Sequence, residues 1–238
     1  MSGAFDALGV DAFFIRRLAE RGITRPTAVQ ALVIPKILAA GELIFSSDTG
    51  TGKTFAYLIP LLQRLVLGQN KTGSAEIIIA APTYELCSQI KGEVDFLLEG
   101  IAGEEEAQAG EGAARVRAGL CIGSANISRQ IETLKKEKPL VVVGNPGRLL
   151  QLARMGKLKL RGLKALVLDE GDRLTAKELF AETSAFAGLA REQGDRSLKL
   201  YACSATMPEK AKNALLPFFG PDAGTAEEPG REVLRDSI

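Results

Sequence analysis

The stretch Ser47-Asp48-Thr49-Gly50-Thr51-Gly52-Lys53-Thr54 restricts this chain of 238 residues more than any other. Glycines at 50 and 52 let the backbone turn tightly enough for successive N–H groups to face one anion, and a helix starting near Gly52 would add its positive dipole end. Lys53 is then placed to reach phosphate oxygens, and the Thr54 hydroxyl to hold a divalent cation. The flanks agree: Glu42-Leu43-Ile44-Phe45-Ser46 reads as a buried strand and Phe55-Ala56-Tyr57-Leu58-Ile59 as an apolar helix. Strand, glycine loop and helix form the context that such a phosphate cradle requires. One departure stands, since the general pattern has glycine five positions before Gly52 and this chain has Ser47.

Around the cradle, short apolar runs alternate with helical patterns, which predicts an α/β fold with a mostly parallel sheet covered by helices on both faces. Strands are predicted near 43–47, 76–81, 116–121, 140–144, 163–168 and 198–203. Their cores, such as Ile77-Ile78-Ile79-Ala80 and Leu140-Val141-Val142-Val143, are apolar without alternation, as in strands buried on both sides. Helices are predicted at 11–21, 27–40, 53–67, 84–98, 126–136, 147–154, within 173–192, and at 208–219. The acidic, glycine-rich segment 100–112 reads as a solvated loop. Residues 1–220 are expected to form one domain, with 221–238 as a tail or the start of a linker.

The formal net charge is only +1, so any basic surface for a partner must be local. Cys87, Cys121 and Cys203 lie far apart in a chain without histidine. That pattern disfavours a zinc site or disulfide framework and fits a reducing cytoplasm. The longest apolar stretch, 31–40, is interrupted by Pro35 and Lys36 and is too short to span a bilayer. Residues 1–6 lack the basic start and apolar run of a secretion signal.

Three further stretches bear on chemistry. In Gly22-Ile23-Thr24-Arg25-Pro26-Thr27-Ala28-Val29-Gln30, the glutamine offers a donor and an acceptor that suit the N6/N7 edge of adenine. Thr27 and Gln30 equally form a capping box for the 27–40 helix, and the residues by themselves leave both readings open. In Ala165-Leu166-Val167-Leu168-Asp169-Glu170-Gly171-Asp172, an apolar strand ends in carboxylates. Asp169 is placed to hold Mg²⁺ and Glu170 to orient or deprotonate a water. Ser204-Ala205-Thr206 ends another strand with two hydroxyls, which alone signifies nothing.

Taken in order, these stretches resemble the DEAD-box family of ATP-dependent RNA helicases, specifically its first RecA-like P-loop domain. Phe5, Gly22, Pro26, Thr27 and Gln30 are similar to the family's Q motif, and Ser47 to Thr54 to its motif I, where the family itself often has alanine at the Ser47 position. Pro82-Thr83-Tyr84-Glu85-Leu86 looks like motif Ia, Gly123-Ser124 like the glycine pair and Asn145-Pro146-Gly147-Arg148 like motif Ib. Asp169 to Asp172 resembles motif II and Ser204 to Thr206 motif III.

The resemblance implies ATP and Mg²⁺ as cofactors. Phe5, Ile23, Gln30, Thr49, Gly50, Thr51, Gly52, Lys53 and Thr54 would bind the nucleotide, and Thr54 and Asp169 the metal. Lys53, Asp169, Glu170, Asp172, Ser204 and Thr206 would serve catalysis, with Asp172 hydrogen-bonded to Ser204 and Thr206. Pro82, Thr83, Gly123, Asn145, Gly147 and Arg148 would contact an RNA backbone, and such contacts position a strand without reading its sequence.

A second RecA-like domain of a longer chain would complete the enzyme, leaving this part a nearly inactive monomer by itself. An ATP-gated RNA clamp that separates no duplex is the alternative. The departures are Ile23 for an aromatic, Tyr84 for an arginine, Ser124 for a glycine, Asn145 for a threonine and Gly171 for an alanine. Three of them fall on the expected RNA face.

Overall fold

The computed structural model describes residues 4–68, 74–100, 118–221 and 223–227. Its strands are β1 (Leu43–Ser46), β2 (Ile77–Ala80), β3 (Ala118–Cys121), β4 (Val141–Gly144), β5 (Ala165–Asp169), β6 (Lys199–Ser204) and β7 (Gly224–Glu227). They form one sheet in the order β3-β4-β2-β5-β6-β1-β7. Every neighbouring pair is parallel. The helices are α1 (Ala12–Glu20), α2 (Ala28–Leu38), α3 (Lys53–Leu67), α4 (Tyr84–Leu98), α5 (Ile127–Glu137), α6 (Pro146–Arg154), α7 (Gly171–Leu174), α8 (Lys177–Gln193) and α9 (Glu209–Leu215).

The strands are continuously apolar because both faces are covered. Leu43, Phe45, Ile77, Ile79, Val141, Val143 and Val167 join a core built with α1 to α4. Their neighbours Ile44, Ile78, Val142, Leu166, Leu168 and Leu200 join a second core with α6, α8 and α9. Successive strand side chains point to opposite faces, so each strand feeds both cores. The expected α/β sandwich is therefore present, with elements close to their predicted places.

Two differences have local causes. The predicted helix 208–219 stops at Leu215 and passes into a 3-10 turn, Leu216–Phe218. Pro217 lacks an N–H and so cannot donate the hydrogen bond that would carry the α-helix on. After Gly220 the sequence predicts irregular chain, whereas β7 pairs in parallel with β1, Leu43 opposite Gly224. The open edge of β1 supplies the hydrogen bonds, so no apolar pattern is needed. The segment read as an acidic solvated loop falls, beyond Gly100, outside the described residues.

Candidate active site

Strand register assembles the site. Ser46 lies opposite Ser204, and Asp169 opposite Cys203. Because β5, β6 and β1 are consecutive in the sheet, the phosphate loop, the acidic motif and the Ser-Ala-Thr motif end at one level of one edge. Open parallel sheets bind ligands at the carboxyl ends of their strands.

Gly50 and Gly52 have φ of 78° and 90°, left-handed values that favour glycine. Ser47, fully buried, answers its departure from the glycine pattern. Thr51 Oγ1 donates to the Asp48 carbonyl at 2.7 Å. Its lone pair is thereby left to accept the Ser47 hydroxyl at 2.5 Å, and the pair staples the loop. The Ser47 N–H also donates to the Ser204 carbonyl at 3.2 Å, tying the loop to β6. Lys53 Nζ donates to the Ser47 and Asp48 carbonyls at 2.5 and 2.6 Å, so the ammonium sits inside the loop. Thr49 and Gly50 are exposed at its mouth.

Gln30 unites its two readings. Its Oε1 accepts from the Thr27 N–H at 3.0 Å, and the Thr27 hydroxyl accepts from the Gln30 N–H, completing the capping box. Its Nε2 donates to the Gly52 carbonyl at 3.2 Å. A Cβ on Gly52 would overlap that amide. The start of α2 and the phosphate loop therefore share one side chain. Ile23 is half-buried against the α1 to α4 core, and Phe5 is 1% exposed within it.

Asp169 is 4% exposed. Tyr57 donates to its Oδ2 at 2.8 Å, and the Cys203 thiol and the Glu170 N–H donate to Oδ1 at 3.1 and 2.9 Å. Burial pushes the Asp169 carboxyl above the usual carboxylate range, and these donors oppose the shift. The same burial drives the Tyr57 phenol and Cys203 thiol well up, reinforced by the Asp169 charge. Glu170 has φ of 53°, a strained value for a residue with a Cβ, of the kind that gathers at functional sites. Its carboxylate pairs with Arg173 at 2.8 Å.

The Thr206 hydroxyl donates to Asp172 Oδ2 at 2.6 Å, joining the acidic motif to the end of β6. Burial alone would raise Asp172, but the Ser204 and Thr206 hydroxyls and the Arg173 N–H outweigh it and hold the carboxyl below its usual range. The Ser204 influence is one of proximity, because its buried Oγ makes no hydrogen bond.

The other group of candidates lies at the ends of β2, β3 and β4, adjacent in the sheet. Thr83 caps α4 by accepting from the Leu86 N–H at 3.2 Å. Asn145 turns its amide inward, donating to the Ala81 carbonyl at 3.0 Å. Arg148 donates to the carbonyls of Gly123 and Ala125 and to Gln130 Oε1, at 2.9 to 3.1 Å. It clamps the loop after β3 to α6. A Cβ on Gly147 would meet the Glu182 carboxylate, so glycine there lets α6 approach α8. Pro82 is half-buried and Gly123 exposed. These side chains shape the strand-end surface as much as they present it.

The hydroxyl of Thr54 and the carboxylate of Asp169 are oxygen donors of the kind a hard divalent cation takes. Among the described residues no group of three His, Cys, Asp or Glu side chains could hold a metal ion. An ion here would need phosphate oxygens and water to complete its shell, which is how Mg²⁺ is commonly held. Tyr57, in the apolar helix pattern, and Cys203, one of three separated cysteines, carry no functional signal in the sequence. Only the carboxylate facing them reveals their polar role.

Residues 27–214 match the family model described as DEAD/DEAH box helicase. The chain is 40% identical over 179 residues to a protein named DEAD-box ATP-dependent RNA helicase 47B from Oryza sativa subsp. japonica, covering 72% of this chain and 29% of that one. It is 35% identical over 202 residues to DEAD-box ATP-dependent RNA helicase CshC from Bacillus cereus, covering 84% and 46%. The chain thus spans less than half the length of these curated relatives. Its fold is similar to the crystal structure of a DEAD box protein from Methanococcus jannaschii, with TM-score 0.78, 26% identity, and 95% and 56% of the two chains covered. It also resembles S. cerevisiae Dbp5 bound to RNA and ADP BeF3, with TM-score 0.75, 23% identity and coverages of 94% and 52%. Among the described residues no helix is long and apolar enough to cross a membrane.

Proposed function

The chain belongs to the DEAD/DEAH box helicase family, and we propose that it is the ATP-binding first domain of an ATP-dependent RNA helicase. The observation that carries this reading is the convergence of cradle, Asp169, Glu170 and the Asp172–Thr206 bond on one sheet edge.

Lys53 moves its hydrogen bonds from the loop carbonyls to the β and γ phosphates, while the loop N–H groups and the α3 dipole hold the remaining charge. Thr54 and Asp169 would hold Mg²⁺, which would supply neutralisation of phosphate charge. Glu170 accepts a proton from the attacking water or orients it, and Arg173 pairs with its carboxylate at 2.8 Å. Gln30 reads adenine from its place between α2 and the cradle. The Asp172–Thr206 bond passes changes at the phosphate side to β6.

The ends of β2, β3 and β4 receive the ribose-phosphate backbone of RNA through Pro82, Thr83, Gly123, Asn145, Gly147 and Arg148. Phe5 and Ile23 support the adenine pocket by packing. A second RecA-like domain supplies the arginines that stabilise the transferring phosphoryl, a contribution on the order of 10³ to 10⁵ in rate. The isolated domain is accordingly a monomer with very slow hydrolysis. Three free, buried cysteines suit a reducing cytoplasm.

The test is RNA-stimulated ATP hydrolysis by the protein that joins this chain to a second RecA-like domain, with and without Lys53→Ala. The substitution should cost about 100-fold or more, as does loss of one preorganised donor to developing charge. Equal rates would overturn the reading.

A further inference from the structure

At the edge of the sheet opposite the phosphate loop, near the starts of β2 and β4, lies a groove of about 280 Å³. Lys135 and Lys138 from the end of α5 line it, together with Lys157 and Lys159 from the segment after α6, over a floor that includes Leu134 and Leu158. All four lysines are exposed. None of the lining residues is acidic, and among the described residues none of the four lysines has an ion-pair partner.

The sequence separates these lysines into two groups some 20 positions apart, and cations at a helix C-terminus offset its dipole. The dipole accounts for only part of this charge. Two helix C-termini carry about −0.5 charge each, roughly −1 against +4 from the lysines, so a net positive field remains. In a chain of net charge +1 this is a concentrated local excess.

We infer that this groove is a second phosphate-binding surface, which receives the backbone of an RNA strand flanking the one held at the strand ends. The inference rests on the helicase reading above. Continuity supports it. Helix α5 starts at its Asn126 cap, just past Gly123 and Ser124 on the strand-end face, and finishes in the groove. Its 11 residues span about 16 Å. Exposed Arg129 near its start and Lys136 near its end continue the track.

The chemistry also favours phosphate. Lysine ammonium groups are compact point charges on flexible stems, suited to a backbone that must slide, whereas protein interfaces centre on buried aromatic and arginine anchors that this groove lacks.

The test measures binding of two uridine homopolymers to the 238-residue chain across a salt series, one of about 6 nucleotides and one of about 16, a span typical of single-strand sites. The variants are Lys135→Gln with Lys138→Gln, Lys157→Gln with Lys159→Gln, and all four together. Each pair is assayed separately so that the result survives poor folding of the fourfold variant, and thermal melting reports that the fold is kept.

Binding of the short strand should not change. Affinity for the long strand should fall about tenfold or more in the fourfold variant, and the slope of log K against log salt should shrink by about 0.7 per lysine. Unchanged long-strand binding and slope would overturn the inference while leaving the helicase reading intact. Equal weakening of both lengths would overturn it as well, by showing a general charge effect. Capture of polyglutamate in place of long RNA would assign the groove to an acidic protein. Failure of the unmodified chain to bind the long strand at low salt would overturn the inference, while the helicase reading keeps its own test on the two-domain protein.

Discussion

The Tyr57 hydroxyl donates a 2.8 Å hydrogen bond to Oδ2 of Asp169, across 112 positions of sequence. Both groups are buried, so the bond fixes the orientation of a carboxylate that burial otherwise penalises. Tyr57→Phe keeps the ring and its packing but leaves Asp169 short of a donor. Unliganded stability should fall by about 1–3 kcal/mol, the cost of an unmet buried acceptor. The thermal shift produced by Mg²⁺ with ATP should then exceed that of the unmodified chain, because the freed oxygen gains a partner only with metal present. Calorimetric melting with and without Mg²⁺-ATP checks both points, and identical shifts would deny Tyr57 a positioning role.

Gln30 caps α2 and also holds the phosphate loop, and one substitution separates the two tasks. Glutamate serves a capping box as well as glutamine does. Gln30→Glu keeps the cap but replaces the N–H that reaches the Gly52 carbonyl with a buried carboxylate oxygen, so it should cost about 1–3 kcal/mol in stability and offers no donor to adenine. ATP affinity should drop about tenfold, equivalent to about 1.4 kcal/mol. Gln30→Ala should lose both. Unfolding curves and fluorescent-nucleotide titrations distinguish them.

The Thr206 hydroxyl helps hold the Asp172 carboxyl below its ordinary value. A carboxyl depressed in the folded state contributes stability that is complete above its unfolded value, near 3.8, and is lost as pH falls through the lowered folded value. Thr206→Val should therefore cost about 0.5–1 kcal/mol at neutral pH, the low end for a charged acceptor because Asp172 is partly solvated. The gap to the unmodified chain should close in strong acid. Urea unfolding over a pH series reads this directly, and a gap independent of pH would contradict it.

Tyr84 stands 48% exposed at the start of α4, on the strand-end face, where the resemblance to the family implies an arginine. On the proposed RNA face, an aromatic ring there would trade a charged phosphate contact for a stacking platform. Tyr84→Ala should weaken binding of single-stranded RNA by about 1–3 kcal/mol without altering its salt dependence. Tyr84→Arg should steepen the salt slope by about 0.7. Fluorescence anisotropy at several salt concentrations checks both; no loss in the alanine variant would show that no base rests on the ring.

The phosphate loop, the strand ending in Asp169-Glu170 and the alternation of buried strands with helices are all legible in the sequence. Each is a local demand: glycine at φ of 78° and 90°, an apolar run for a strand covered twice, a carboxylate where that run stops. What the sequence leaves unresolved is who faces whom. The insertion of β5 between β2 and β6 brings Tyr57 and Cys203 onto Asp169, and the adjacency of β3 and β4 lets Arg148 clamp the loop after β3. The pairing of β7 with β1 and the meeting of four lysines at the far edge have the same origin. Strand order is decided by how helices cover both faces of a sheet, a sum over many long-range contacts, and no short stretch of residues carries it.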